Sequence, residues 1–171
     1  MSDHEQQAQF ERLVMPHLDA AYNLARWLAG NDHDAEDIAQ EACVRAFRFV
    51  SGCRGNDGRG WLLTIVRNTA YSWLKKNRSQ SLLFLQSDEL LEIEDESGVA
   101  SEFHSADTGT LRTALEALPL EFREALVLRE MEGLTYKEIA EVADVPVGTV
   151  MSRLARARRQ LQKTLKRKEK A

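Results

Sequence analysis

The sequence predicts an all-α fold: two small helical domains, residues 1–78 and 109–171, joined by an acidic flexible linker over 79–108. Three observations predict it. Apolar residues return every three or four positions through most of the chain, and no run of β-branched residues alternates with period two. Charge is segregated, with 8 Asp/Glu and no Lys/Arg in 79–107 but 9 Lys/Arg against Glu169 alone in 147–171. Finally, a T-x-x-E box and a tight turn split the C-terminal region into two helices.

Taken in order, helices are expected at about 6–29, 34–50, 60–77, 110–117, 120–131, 136–142 and 147–166. Gly30-Asn31-Asp32-His33 separates the first two. Ser51 to Gly60 separates the next pair and holds four of the nine glycines, a concentration more typical of a functional loop than of a plain connection. On a wheel, helix 34–50 buries Ile38, Ala39, Ala42, Ala46, Phe49 and Val50. Its outer arc carries Asp37, Gln40, Glu41, Arg45 and Arg48, with Val44 exposed among them. An apolar residue inside a charged arc points to a protein contact.

Helix 60–77 turns Leu62, Val66, Thr69, Ala70, Trp73 and Leu74 inward. Outward, at spacings of three and four, come Trp61, Thr64, Asn68, Tyr71, Lys75 and Arg78, with Arg67 alongside. Aromatic rings interleaved with cations and an amide make a stacking platform for unpaired bases, flanked by phosphate contacts. From Ser79 the periodicity dissolves into a short apolar patch and then Asp88-Glu-Leu-Leu-Glu-Ile-Glu-Asp-Glu96.

The C-terminal segment from Leu134 to Arg159 reads as a helix-turn-helix. Gly133 stops the preceding helix, because it reaches the left-handed conformation without steric cost. Thr135 and Glu138 form a capping box. Ile139, Ala140 and Ala143 face inward, Asp144 occupies the turn, and Pro146 opens the next helix. In that helix Val147, Val150, Leu154, Ala157 and Leu161 share one side, and Thr149, Ser152, Arg153, Arg156, Arg159 and Gln160 the other. Such side chains hydrogen-bond phosphates and base edges when a helix lies in the major groove.

Other classes are disfavoured. The start Met-Ser-Asp-His-Glu-Gln-Gln has no basic region followed by an apolar run, so no signal peptide is expected. No apolar stretch reaches the length of a membrane span. Two cysteines, Cys43 and Cys53, are too few for a disulfide framework and fit a reduced cytoplasmic setting. With His33 they lack metal-ligand spacing. No nucleotide-binding loop, metal box or paired nucleophile and base is present, so neither an enzyme nor a cofactor is expected.

These parts together resemble the bacterial extracytoplasmic-function (ECF) sigma factors, the small initiation subunits of RNA polymerase within the sigma-70 family. Asp34-Ala-Glu-Asp-Ile-Ala-Gln-Glu-Ala42 resembles their region 2.2, and Gly60-Trp-Leu-Leu-Thr-Ile-Val-Arg-Asn-Thr-Ala70 their regions 2.3–2.4. Leu115 to Ala125 resembles region 4.1, and the helix-turn-helix region 4.2. The resemblance implies a region 2 helical bundle over 1–78 and a region 4 helix-turn-helix domain over 109–171. It implies that Asp34, Asp37, Gln40, Glu41, Val44 and Arg48 dock on the β′ clamp helices of core polymerase, with the β flap a second contact on the enzyme. It implies that Asn56, Asp57 and Arg59 form a pocket for a flipped base of the −10 element. Trp61, Thr64, Arg67, Asn68, Tyr71, Lys75 and Arg78 would line the melted strand, and Thr135, Thr149, Ser152, Arg153, Arg156 and Arg159 would engage the −35 duplex. The acidic linker would run in the RNA exit channel, and an anti-sigma factor would hold the free protein inactive. One departure stands out: members often carry a basic residue between the Val and Ser of G-T-V-x-S-R, and Met151 stands there. Two rival readings remain, an ordinary dimeric helix-turn-helix regulator and a sigma-like decoy that titrates an anti-sigma factor.

Overall fold

A computed structural model describes residues 2–77 and 108–169, all in helices, turns and short connections, with no strand among them. Arg78 and the acidic stretch 79–107 lie outside the described residues. The chain divides into two compact units.

The first unit contains α1 (Asp3–Leu13), α2 (Leu18–Ala29), α3 (Asp32–Arg48) and α4 (Gly58–Asn77). The single helix expected over 6–29 is two helices, broken by a 3₁₀ turn at Met15–His17. Pro16 is the cause, since it has no amide to donate and its ring collides with the carbonyl four residues back. Helices α2, α3 and α4 pack on one another, and α1 closes against α3. Leu24 and Leu28 of α2, Ile38, Ala42 and Ala46 of α3, and Leu62, Val66, Ala70 and Leu74 of α4 are fully buried or nearly so.

Three positions on the expected inner faces came out otherwise, the first being Ala39, which is only half-buried. Phe49 is 58% exposed. It sits just past the last residue of α3 with φ −110° and ψ 18°, so the wheel no longer applies to it. Trp73 is half-buried, while Leu63, absent from the expected inner set, is fully buried. Gly58 explains why α4 begins where it does. A Cβ there would lie 1.9 Å from the Leu13 carbonyl oxygen, so the end of α1 and the start of α4 touch backbone to backbone.

From residue 108 the chain forms α5 (Thr108–Glu116), α6 (Leu120–Leu126), α7 (Tyr136–Ala143) and α8 (Val147–Glu169), with α5 and α6 packed on α8. After α6 the chain widens into a π turn at Val127–Met131, where the Glu132 amide donates to the Val127 carbonyl at 3.1 Å. Arg123 of α6 is buried and caps the end of α5. Its Nε donates to the Leu115 carbonyl at 3.1 Å, and its Nη2 to those of Glu116 and Leu118 at 2.9 Å each. Leu115 and Glu116 lie in the last turn of α5, where carbonyls run out of intrahelical donors, and Leu118 lies just beyond it.

The expected helix-turn-helix chemistry is present. The Thr135 amide donates to Glu138 Oε1 at 2.9 Å, and the Glu138 amide donates to Thr135 Oγ1 at 3.1 Å. Gly133 at φ 68° and Asp144 at φ 55° both occupy the left-handed region. Ile139, Ala140 and Ala143 are buried, as are Val150, Leu154, Ala157 and Leu161 of α8. Val147, expected on that inner side, is instead 41% exposed. It is the first residue of α8, one turn before the buried Val150.

Candidate functional site

Helix α3 owes its start to Asn31, whose side-chain oxygen accepts the Asp34 amide at 2.8 Å while its own amide donates to Asp34 Oδ2 at 2.7 Å. Asp34 is therefore engaged in a reciprocal cap. Asp37, Gln40, Glu41, Val44 and Arg48 follow at helical spacing and are all exposed, Val44 by 57%. Glu41 accepts from Arg45 Nη2 at 2.8 Å, and His33 Nε2 lies 3.9 Å from the Asp37 carboxylate. Both pairs lie on the surface, where ion pairs contribute under about 1 kcal/mol and readily exchange partners.

Beside this stripe an open groove of about 610 Å³ runs between α2 and α3, lined by Leu18, Tyr22, Ala39, Gln40, Cys43 and Val44. The sequence reading missed Leu18 and Tyr22. The available signal was an aromatic lying off the buried stripe of α2, which is Ala21, Leu24, Ala25, Leu28 and Ala29. Burial pushes the Cys43 thiol above the ordinary cysteine range. For Cys53, burial acts first and the Asp57 charge adds to it.

The loop before α4 contains Asn56 and Asp57, both exposed. Asp57 Oδ1 accepts the Arg59 amide at 3.0 Å, so this residue also caps α4. Along α4, Trp61, Thr64, Arg67 and Tyr71 are half-buried, and Asn68 and Lys75 exposed. Trp61, Thr64, Asn68, Tyr71 and Lys75 share one flank through spacings of three and four. The Thr64 hydroxyl donates to the Gly60 carbonyl at 2.8 Å, a local bond within the helix. The Arg67 guanidinium lies 3.9 Å from the centroid of the Tyr71 ring, a cation–π stack.

On α8, Thr149, Ser152, Arg153, Arg156 and Arg159 are all half-buried rather than fully exposed. Arg153, whose side chain is only 16% exposed, turns toward α6, its Nη2 3.6 Å from Glu121 Oε2. Arg158, outside the expected set, pairs with Glu130 at 3.0 Å. Arg156 Nε is covered and has no hydrogen-bond partner among the described residues. From 147 to 167, α8 carries seven cationic residues and no acidic one. Thr135 is committed to its capping box and is exposed. Among the described residues no group of three or more His, Cys, Asp or Glu could hold a metal ion, and no helix is long and apolar enough to cross a membrane.

An exposed stripe of charged and polar residues on α3, an aromatic and cationic row on α4 and a helix-turn-helix in one chain leave the class of protein open. Comparison with known proteins narrows it. Residues 13–80 match the family Sigma-70 region 2, and residues 108–161 match Sigma-70, region 4. The ECF RNA polymerase sigma factor SigE of Mycolicibacterium smegmatis is 37% identical over 153 residues, 89% of this chain and 60% of that protein. The RNA polymerase sigma-H factor of Pseudomonas aeruginosa is 32% identical over 166 residues, 91% of this chain and 86% of that one. The solved structure of the sigma factor RpoE bound to the anti-sigma factor NepR from Bartonella quintana matches with a TM-score of 0.70 at 26% identity, covering 97% of this chain and 98% of that chain. The chain belongs to the sigma-70 family, in its extracytoplasmic-function branch.

Proposed function

We propose that this chain is a promoter-specificity subunit of bacterial RNA polymerase: a cytoplasmic initiation factor, without a catalytic centre or cofactor of its own, that is restrained by an anti-sigma factor. Residues 1–78 form the part that binds core enzyme and the −10 element, and 109–171 the part that binds the −35 duplex and the β flap. The observation that carries this reading is the joining, in one chain, of a cationic helix α8, without an acidic residue from 147 to 167, to a unit whose α4 displays Trp61, Tyr71, Asn68 and Lys75 on one flank. A simple duplex-binding regulator has no use for that flank.

In this reading Asp37, Gln40, Glu41, Val44 and Arg48 meet the β′ clamp helices, with the α2–α3 groove beside them, and Asp34 serves mainly to cap α3. A base stacking on Tyr71 displaces Arg67 from the ring face that it covers. Asp57 caps α4 and, with Asn56, borders the base pocket. The RpoE–NepR complex supports an anti-sigma partner for this chain.

The energetics require the polymerase. Opening ten base pairs at about 1.4 kcal/mol per step costs on the order of 14 kcal/mol. Two or three stacked bases return about 2–9 kcal/mol. The chain alone is therefore expected to leave duplex promoters closed to permanganate. Added to core polymerase, it is expected to start transcripts at a defined set of sites, mapped by sequencing 5′ ends. Start sites identical to those of core enzyme alone would overturn the proposal. Binding to an anti-sigma factor without directed initiation would favour the decoy.

A further inference from the structure

Two residues at the leading end of α8 stand apart from its polar and cationic surface. Met151 is 53% exposed and Val147 41% exposed. They are four positions apart, hence one above the other about 6 Å along the helix. Ala155 continues the same flank one turn further, half-buried. Gly148 beside them is open to solvent, with nothing within 4 Å of where a Cβ would stand. The strip is therefore exposed and flanked by open space at Gly148.

Its surroundings indicate what occupies that space. The strip belongs to the first two turns of the second helix of a helix-turn-helix, the part that meets base edges in this arrangement. The remainder of α8 through residue 167 offers only positive charge, which fits a polyanion and disfavours an apolar protein groove as the main partner. Neither Val147 nor Met151 has a side-chain donor for a phosphate or a base edge. In the major groove of B-DNA the one exposed apolar group is the C5 methyl of thymine. The flexible, polarisable thioether of methionine adapts well to such a small target.

We infer that Met151, with Val147 beneath it, reads a thymine methyl group in the duplex element bound by α8. This rests on the reading of α8 as the helix that binds the −35 duplex.

The test uses the full chain assembled with core polymerase on its own promoter, located from mapped start sites. Each upstream thymine is replaced singly by deoxyuridine, which removes the methyl and nothing else. Affinity is then measured for wild type, Met151→Ala and Met151→Lys. One thymine position is expected to lose about 3- to 5-fold on demethylation with wild type, the worth of one methyl group. The same replacement is expected to change either variant by less than about 1.5-fold, within the scatter expected for independent sites. Met151→Lys is also expected to steepen the salt dependence by about one counterion.

Insensitivity of wild type to deoxyuridine at every position would overturn the inference while leaving the −35 reading intact. Equal sensitivity in Met151→Ala would do the same. A Met151→Ala protein that keeps its DNA profile but assembles poorly with core enzyme would make the strip a protein contact, again overturning the inference. Absence of any upstream duplex protection would remove the −35 reading itself. Met151 is more than half exposed, so neither substitution threatens the fold.

Discussion

Arg123→Met removes a buried guanidinium and puts a side chain of similar reach in its place. Arg123 is 6% exposed and bonds three carbonyls, those of Leu115, Glu116 and Leu118. The Leu115 carbonyl also accepts the Leu118 amide at 3.1 Å, so it keeps a partner after the substitution. The Glu116 and Leu118 carbonyls lose the donor that satisfies them. The Leu118 bond is buried and the Glu116 bond only part-buried, so at about 1–3 kcal/mol for the buried group, and less for the one water can reach, the cost is about 2–4 kcal/mol. The lower half of that range is expected, because methionine spares the desolvation of a buried charge.

A domain of this size is marginal, so a loss of about 3 kcal/mol consumes much of its stability. The protein carries its own internal control. All three tryptophans, Trp27, Trp61 and Trp73, belong to the first unit, so their emission follows that unit alone. In a urea titration, helicity at 222 nm is expected to be lost at lower denaturant in Arg123→Met, with the tryptophan transition little changed. Arg123→Lys should recover under half of the loss, since a single ammonium cannot span three carbonyls in fixed directions. A loss below about 1 kcal/mol for Arg123→Met would show that the reasoning about orphaned carbonyls is wrong.

Gly58→Ala drives a methyl group into the backbone of Leu13, and neither chain segment can yield without moving a helix. It is expected to destabilise the first unit by at least about 1–3 kcal/mol, read as an earlier tryptophan transition. Arg156→Ala is expected to weaken −35 binding by about 1–3 kcal/mol. Arg153→Ala should cost less and leave the salt slope nearly unchanged, because Glu121 already holds that guanidinium. Equal losses and equal slopes in filter binding would contradict this ordering. Both thiols are held above the ordinary cysteine range, so the thiolate fraction at any given pH is smaller than for a free cysteine. Alkylation by iodoacetamide is therefore expected to be slow at neutral pH, with its midpoint displaced to higher pH. A midpoint at or below that of free cysteine would argue for an activated thiol.

The sequence by itself determined what depends on neighbours along the chain. Helix periodicity, the Thr135–Glu138 box, the left-handed Gly133 and Asp144, and the segregation of charge are local properties, and each reads directly from residue order. The wheel also placed Asp37, Gln40, Glu41 and Val44 on one exposed stripe, because a regular helix fixes relative direction. Only the tertiary structure decided what depends on residues far apart or on where regularity stops. The expected 6–29 helix broke at Pro16, and Phe49 and Val147 were misassigned because they sit at helix ends, where 100° per residue no longer decides burial. Arg153 turns to Glu121, 32 positions away, and that pairing has no trace in local pattern. Nothing in residue order distinguishes Arg123 from other charges on a helix; the fold sets three carbonyl oxygens around it. Direction along a helix is encoded within a few residues, whereas the partner a side chain meets is set by packing between helices.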